Sequence, residues 1–454
     1  MIRYRVRTDL DTPLPENLTP GTRLLDWAPG KGAATIQTGD TGPAFFTGWH
    51  APRPAADLLL LGAAAYCVDK TARRSRRPDR WTRELSLELP VCDTAAWSQA
   101  RWPEVLSFLT GDRWDVTTHA DGRHPLDARA GTAPTGTAGL DVDGVCLFSG
   151  GLDSLCGVID LMEEDPRRTL CLVSHHEGGQ ASTAQQDLYA QLAAHYGSDR
   201  LVLRRLYLRP APANQWQARP LPRTRENTTR ARSLLFLATA LSIAASCGPD
   251  TPVYIPENGF IGINVPLTRA RSGSLSTRTT HPHFLQMLQT ATQAIGVSNP
   301  IENPYRLATK GEMLASSRNT PLLKRLAPMS VSCAHPEAPR WAKRRQGNCG
   351  YCFPCLIRRS AMAHVGWDHD AYAWNALAEA ELLDRRKRRG SDLRAVVNGA
   401  FSPRPDRDAL RNGPLPSGER GAFVGVWRRG QAELRSWLAD GAEGDLASIV
   451  EALR

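Results

Sequence analysis

Hydrophobic and polar positions change their rhythm near residue 140. Before it, short alternating runs at 3–6, 44–48, 85–91 and 114–118 predict strands, and apolar stretches at helical spacing over 56–71 and 97–109 predict helices between them. This mixture reads as an α+β domain over residues 1–135. Residues 120–144, rich in Gly, Ala, Thr, Pro and Asp, read as a linker. Beyond it, apolar strand-like runs at 145–148, 170–174, 201–208 and 253–255 alternate with helical patterns at 155–162, 183–196 and 227–247. Such alternation is the signature of an α/β, doubly wound parallel sheet, expected here over 140–366. Ligands of such sheets sit beyond the carboxyl ends of the strands, which gathers the loops 149–154, 175–180 and 256–264 at one rim. The remainder, 367–454, is polar, largely helical, and broken by a Pro/Arg/Gly-rich stretch at 402–420. It holds no recognisable site.

Composition changes this picture little. At 454 residues the chain is too long for one ordinary domain, and 41% apolar residues suffice for real cores. No run of about 18 apolar residues occurs, so no membrane span is expected. The first residues, Met1 to Arg7, alternate like a strand and lack the apolar core of a secretory signal, so a cytoplasmic protein is expected. Its ten cysteines then read as thiols or metal ligands before disulfides. The net charge of +10 admits nucleic acid or another polyanion as partner. Lysine occurs only at 31, 70, 310, 324, 343 and 387, so arginine supplies nearly all of the 56 basic residues. With so much Ala, Gly and Pro, that balance fits a GC-rich codon bias as well as it fits a nucleic-acid partner.

The chemistry begins at 145–154. An apolar run ending in Phe148 is followed by Ser149-Gly150-Gly151-Leu152-Asp153-Ser154, and then by an amphipathic helix. Strand, glycine turn and helix N-terminus together build an anion site from backbone N–H groups and the helix dipole. A Cβ at Gly150 or Gly151 would obstruct close approach to a phosphate. No Gly-Lys-Ser/Thr follows, so this is not the Walker pattern. Ser-Gly-Gly-x-Asp-Ser resembles the PP-loop of the ATP pyrophosphatases. Asp153 and Ser154 also suit plain helix capping, which is compatible with phosphate binding.

A second constellation is Cys333, Cys349, Cys352 and Cys355, spaced C-x15-C-x2-C-x2-C. Thiolates two residues apart on a turn reach one tetrahedral zinc, and four of them close its shell, which argues for a structural metal. Redox thiols and an iron–sulfur cluster are the competing readings. His335 is a substitute ligand in principle. The other cysteines lie mostly in apolar runs and read as core residues.

A PP-loop followed by this knuckle resembles the 7-cyano-7-deazaguanine synthase (QueC-like) family. The matching residues are Ser149 to Ser154, Cys333, and Cys349-Gly350-Tyr351-Cys352-Phe353-Pro354-Cys355-Leu356-Ile357-Arg358, with Thr309-Lys310-Gly311-Glu312 similar to the family's Thr-Lys-x-Glu element. The likeness covers about half of the chain. It departs from the family in the basic stretch 340–345, in His176-Glu177-Gly178-Gly179-Gln180 where the family has Tyr-Gly-Gln, and in the added N-terminal region. Residues 275–282 and Glu257-Asn258-Gly259-Phe260 are similar to elements of the longer QueC-like proteins of anti-phage islands, those of the Qat system and of type IV CBASS.

The resemblance implies a PP-loop (adenine nucleotide alpha hydrolase-like) fold and an ATP-dependent ligase that adenylates a 7-deazaguanine carboxylate. Ser149, Asp153, Ser154 and Lys310 would carry the reaction, and Phe148 to Ser154 would bind the nucleotide. Mg²⁺ would neutralise phosphate charge and Zn²⁺ would sit on the four cysteines. Gln180, Glu257, Asn258, Asn264 and His281 are candidates for recognising the purine-like base. Lys310 alternatively reads as a surface lysine and His281 as a satisfied structural histidine. The Arg225, Arg230 and Arg232 cluster reads equally as a phosphate contact or a solvated face. In the defence relatives the resemblance implies an amine of a co-encoded partner protein as acceptor, in place of ammonia. Nucleoside biosynthesis with ammonia, tRNA or DNA modification, and a nucleotide-sensing scaffold are the rival functions.

Overall fold

The computed structural model describes residues 1–11, 13–14, 18–28, 32–38, 51–120, 140–227, 229–268, 277–367 and 372–454. The strand expected at 44–48, most of the expected linker and residues 275–276 lie outside the described residues.

The N-terminal region contains β1 (Ile2–Arg7), β2 (Arg23–Asp26), β3 (Ile36–Thr38), α1 (Arg53–Thr71), β4 (Glu84–Val91), α2 (Thr94–Gln99), α3 (Trp102–Thr110) and β5 (Arg113–Ala120). Four of its strands form a sheet in the order β2-β1-β4-β5, and every pairing is parallel. The α+β expectation is corrected to α/β. Helix α1 joins β1's neighbour β4 from the β3 side, and α2 with α3 joins β4 to β5. Crossovers of that length return the chain parallel, whereas a tight hairpin would have made it antiparallel.

Then follow β6 (Gly144–Leu147), α4 (Leu152–Glu164), β7 (Leu170–His176), α5 (Gln180–Tyr196), β8 (Leu201–Pro210), α6 (Arg232–Cys247), β9 (Val253–Tyr254), α7 (Gly259–Ile263), α8 (Pro282–Ala294) and β10 (Ile301–Glu302). The second sheet runs β10-β9-β6-β7-β8-β3. β6 to β10 are parallel, and β3 adds an antiparallel edge against β8, with Ile36 opposite Pro210. Strand order reverses between β6 and β9, because β7 lies on one side of β6 and β9 on the other. That reversal opens a crevice at the carboxyl ends of these two strands.

Both faces of this sheet are covered, as doubly wound folds require. On one face α4 and α5 pack with α9 (Lys310–Ala315) and α10 (Thr320–Leu326). On the other, α6 and α8 share a core with α1 and the N-terminal sheet. A Cβ on Gly62 of α1 would lie 2.9 Å from the Ala238 Cβ of α6, so glycine permits this close helix crossing. The core therefore runs across the expected boundary near 135–140. Asp69 of α1 accepts hydrogen bonds from the backbone of Arg230 and Ala231 at 2.6 and 2.8 Å, holding the approach to α6, which starts at Arg232 and not at the expected residue 227.

A third core joins the four cysteines to the C-terminal region. It contains α11 (Ala338–Trp341), α12 (Phe353–His364), α13 (Ser391–Phe401), α14 (Arg420–Gly441) and α15 (Gly444–Leu453) among its surroundings. Trp374, Phe423 and Trp427 are fully buried there. Among the described residues no helix is long and apolar enough to cross a membrane.

Candidate active site and cysteine centre

The turn after β6 is fixed before any side chain reaches out of it. Phe148 has its ring in the core and offers only its backbone, donating to Val173 O at 2.7 Å and accepting from the Ser174 hydroxyl at 2.5 Å. Gly150 adopts φ +79°, a conformation that L side chains rarely adopt. A Cβ there would also meet Gln185 atoms at 3.1 Å. Ser149 Oγ accepts from Gly151 N and contacts Ser154 Oγ, both at 3.2 Å, and Ser154 donates to Gly151 O at 3.0 Å. The backbone of Leu152 donates to Ser332 Oγ at 3.0 Å, and Val331 N donates to Gly150 O at 2.9 Å. The glycine turn is thus clamped from outside by the segment that leads into Cys333.

Asp153 is buried in the first turn of α4. One carboxylate oxygen contacts the Lys310 ammonium and the other accepts from Asn258 Nδ2 at 2.7 Å and Asn258 N at 3.2 Å. Burial alone would raise its pKa. The Lys310 charge and the hydrogen bonds from Glu257, Lys310 and Asn258 outweigh it, holding the carboxyl down at about 2. Glu257 behaves in the opposite way. Burial first, and then the Asp153 charge and a hydrogen bond to Asp153, push its pKa well above the usual carboxylate range, which favours its protonated form. The opposed shifts favour one negative charge on the two carboxyls, beside the Lys310 ammonium.

These groups sit at the switch point of the second sheet, Asp153 after β6 and Glu257 and Asn258 after β9. Gly157 of α4 brings the two loops together, since a Cβ on it would lie 2.3 Å from Pro256 Cβ and Cγ. A cleft of about 260 Å³ opens over them, lined by Ser149, Asp153, Glu257, Lys310, Ser332 and Cys333 among others. A second cleft of about 720 Å³ lies across the turn, lined by His176, Gln180, Gln185, Arg232, Arg340 and Trp341 among others. Gln185 is buried and its Oε1 has no hydrogen-bond partner; the same holds for His176 Nε2.

Of the residues expected from sequence, the structure gathers Ser149, Gly150, Gly151, Leu152, Asp153, Ser154, Lys310, Glu257 and Asn258 around one turn. Gln180 lines the wider cleft, where its backbone N donates to Glu337 at 3.3 Å. Asn264 and His281 line neither cleft. Asn264 closes α7 at φ +41°, and its amide donates to Thr277 Oγ1 at 3.0 Å. His281 is fully buried, accepts from His283 N at 3.3 Å as the cap of α8, and packs edge-on against Phe108; burial lowers its pKa to about 3. Both lie at helix ends, Asn264 closing α7 and His281 capping α8. Ser332 and Gln185 carry no sequence signal beyond lying beside Cys333 and in α5.

Cys333, Cys349, Cys352 and Cys355 converge, with all four Sγ atoms within 4.8 Å of one another. Cys333 and Cys352 are 3.8 Å apart and Cys349 and Cys355 are 3.9 Å apart. A tetrahedron with metal–sulfur bonds of about 2.3 Å has edges of about 3.8 Å, so the spacing fits a metal ion such as zinc. Backbone N–H groups of Ala334, His335 and Cys349 donate to these sulfurs, each at 3.3 Å, as suits thiolates. Gly350 turns the knuckle at φ +90°, and its missing Cβ leaves room for Trp374 O. Arg358, fully buried on α12, donates to Ser330 Oγ at 2.6 Å and Ala327 O at 2.7 Å. The knuckle is thereby tied to the segment 327–332, whose last residues clamp the glycine turn. His335 is no ligand and stacks on Tyr351.

No protein-family model matches this chain, and no curated protein or solved structure matches it either.

Proposed function

We propose that the chain is a QueC-like PP-loop ligase that activates a 7-deazaguanine carboxylate with ATP. The observation that carries the reading is the convergence of Asp153, Lys310 and Glu257 beside the glycine turn at the switch point of a parallel sheet. The carboxylate oxygen of the substrate attacks the α-phosphorus of ATP, the α–β bridging bond breaks, and pyrophosphate leaves. An amine nitrogen then attacks the acyl carbon, loses its proton, and expels AMP, leaving an amide. A carboxylate by itself is a poor acyl donor, and AMP as leaving group makes the second step feasible.

The glycine turn and the start of α4 suit the pyrophosphate through backbone N–H groups. Lys310 lines the same cleft as that turn and would neutralise charge on the leaving group. The wider cleft has room for a nucleoside, and the unpartnered Gln185 Oε1 suits an exocyclic amine. Both Asp153 oxygens are engaged, by Lys310 and Asn258, so Mg²⁺ would be held mainly by the ATP phosphates, with Asp153 beside them in the cleft. Mg²⁺ bound there would neutralise phosphate charge. Glu257, as a neutral acid, can donate a hydrogen bond to a substrate oxygen, which an ionised carboxylate cannot.

The acceptor is proposed to be an amine of a partner protein co-encoded in an anti-phage system. The support is the resemblance together with the N-terminal sheet, which provides docking surface that ammonia does not need. Intact-mass spectrometry of neighbouring gene products, incubated with enzyme, ATP and 7-carboxy-7-deazaguanine, tests this. A mass increase equal to the acyl group on one of them supports it, and unchanged masses throughout refute it. A second reading, nucleic-acid modification, is favoured by a concavity of about 400 Å³ lined by Lys70, Arg209, Arg223 and Arg225 with Glu177 as its carboxylate. It requires tRNA or DNA binding that weakens steeply with salt.

A further inference from the structure

Helix α14 lies in the C-terminal region, where the sequence shows no motif, yet it grips the Lys310 turn. The Glu433 carboxylate accepts from the Thr309 hydroxyl and, at 3.3 Å, from Gly311 N. Four residues earlier, Arg429 Nε donates to Glu312 at 2.5 Å and its Nη2 donates to Leu307 O at 3.0 Å. The residue after Lys310 is shaped to this contact. A Cβ on Gly311 would lie 2.6 Å from Glu433 Oε1 and 2.9 Å from His364 Cδ2, so only glycine lets the carboxylate come so near.

Helix α9 needs outside support. It has six residues, and a helix that short cannot hold its own geometry in water. Thr309 caps it by accepting from Glu312 N at 3.1 Å, and Glu312 returns a bond from Thr309 N at 2.8 Å. A hydroxyl that donates to Glu433 must turn a lone pair toward Glu312 N, so Glu433 sets the direction of the capping oxygen. The negative end of Glu433 also faces the positive end of the helix dipole. Lys310 is the first residue of this helix, and its ammonium is buried against Asp153.

We propose that Glu433 is a positioning residue: through Thr309 and Gly311 it holds the Lys310 ammonium against Asp153, which makes the C-terminal helix a working part of the cleft. The proposal deepens the ligase reading and rests on it for its activity readout only. Residues 309–312 and 429–433 therefore form one unit, although 117 residues separate Arg429 from Glu312.

The test uses the full chain with Glu433→Ala and Glu433→Gln. Lysine acetylation by a succinimidyl ester, read peptide by peptide in a mass spectrometer, reports the exposure of Lys310, with exposed Lys324 as internal reference. In the unsubstituted chain Lys310 reacts about tenfold or more slower than Lys324, because it reacts only after local opening. Glu433→Ala raises the Lys310 rate severalfold. Glu433→Gln lies between, since its amide oxygen still accepts from Thr309 while its NH2 opposes Gly311 N–H. In ATP–pyrophosphate exchange, Glu433→Ala lowers kcat by about tenfold or more with KM for ATP little changed, as expected when a reacting group is misplaced and binding is kept. Unchanged Lys310 acetylation in Glu433→Ala overturns the proposal. If that variant loses its cooperative melt, Glu433→Gln carries the same test; faster Lys310 acetylation than in the unsubstituted chain supports the proposal and an unchanged rate overturns it. An unsubstituted chain without exchange activity refutes the ligase reading alone, and acetylation still decides the role of Glu433.

Discussion

Leu152 donates its backbone N–H to the hydroxyl of Ser332 at 3.0 Å, across 180 residues of chain. This bond joins the glycine turn to the cysteine knuckle, and it gives a structural metal a role in the cleft. The knuckle fixes 330–333 through Asn348, whose Oδ1 accepts from Ser332 N at 3.0 Å and whose Nδ2 donates to Ser330 O at 3.1 Å.

Metal content and nucleotide binding should therefore fail together. The purified chain is expected to hold about one zinc, and Cys352→Ser to lose it, because three thiolates leave the tetrahedral shell open. Elemental analysis checks the metal. Isothermal titration with a non-hydrolysable ATP analogue checks the consequence, which is weaker binding by about tenfold or more from loss of a preorganised turn. Retention of full ATP affinity in a metal-free, folded variant contradicts the link.

Lys310 and Asp153 form a buried pair, and removing one partner leaves an uncompensated charge. Lys310→Met is expected to destabilise the fold by about 3–5 kcal/mol in denaturant melts. Adding Asp153→Asn should restore most of that loss, since no buried charge remains. Adenylation should stay lost in the double variant by about a hundredfold or more, because the cation is gone. Recovery of activity with stability would make the pair purely structural.

Glu257 sets a pH dependence of definite sign. Its folded pKa lies above the unfolded value of about 4.5, so its contribution to stability is full below that pH and declines as pH rises toward the folded pKa. Asp153, held at about 2, acts oppositely: its contribution is present above pH 4 and is lost only as pH falls toward 2. Of these two carboxyls, Glu257 is the one whose contribution changes between pH 5 and neutrality. Glu257→Gln should flatten the stability profile there and raise stability at pH 7. A chemical-denaturation series across pH measures it, and an unchanged slope in the variant contradicts the neutral-acid assignment.

Gly157→Ala decides between propensity and packing. Alanine in a helix interior gains about 1 kcal/mol over glycine. Here its Cβ would stand 2.3 Å from the Pro256 ring, which cannot swing aside as a long side chain can. Overpacking costs about 1–3 kcal/mol, so a net loss of stability is expected, with Glu257 displaced from Asp153. A higher melting temperature in Gly157→Ala contradicts the close approach of these loops.

What the sequence revealed follows the range of each interaction. Ser149 to Ser154 was legible because strand, turn and helix start are local, and the four cysteines because metal ligands repeat at short spacing. Lys310 was legible as a motif, but its partner Asp153 lies 157 residues away. Glu433, Ser332 and Gln185 were invisible for the same reason, since nothing near them in sequence announces a contact made by folding. Of the N-terminal strands β1, β4 and β5 were found and β2 and β3 were not; the parallel order was not legible, because alternation reports which face is buried and not which strand pairs with which. Asn264 and His281 fall at helix ends. Their polar character suggested recognition, and the structure uses it for a helix end and a helix cap.

The central claim is most directly tested by ATP–pyrophosphate exchange with the purified chain and Mg²⁺, with and without 7-carboxy-7-deazaguanine. The account predicts that labelled pyrophosphate enters ATP only when the carboxylate is present, and that Lys310→Met and Asp153→Asn abolish it. No exchange with the carboxylate, or turnover that yields ADP and phosphate in place of AMP and pyrophosphate, would contradict it.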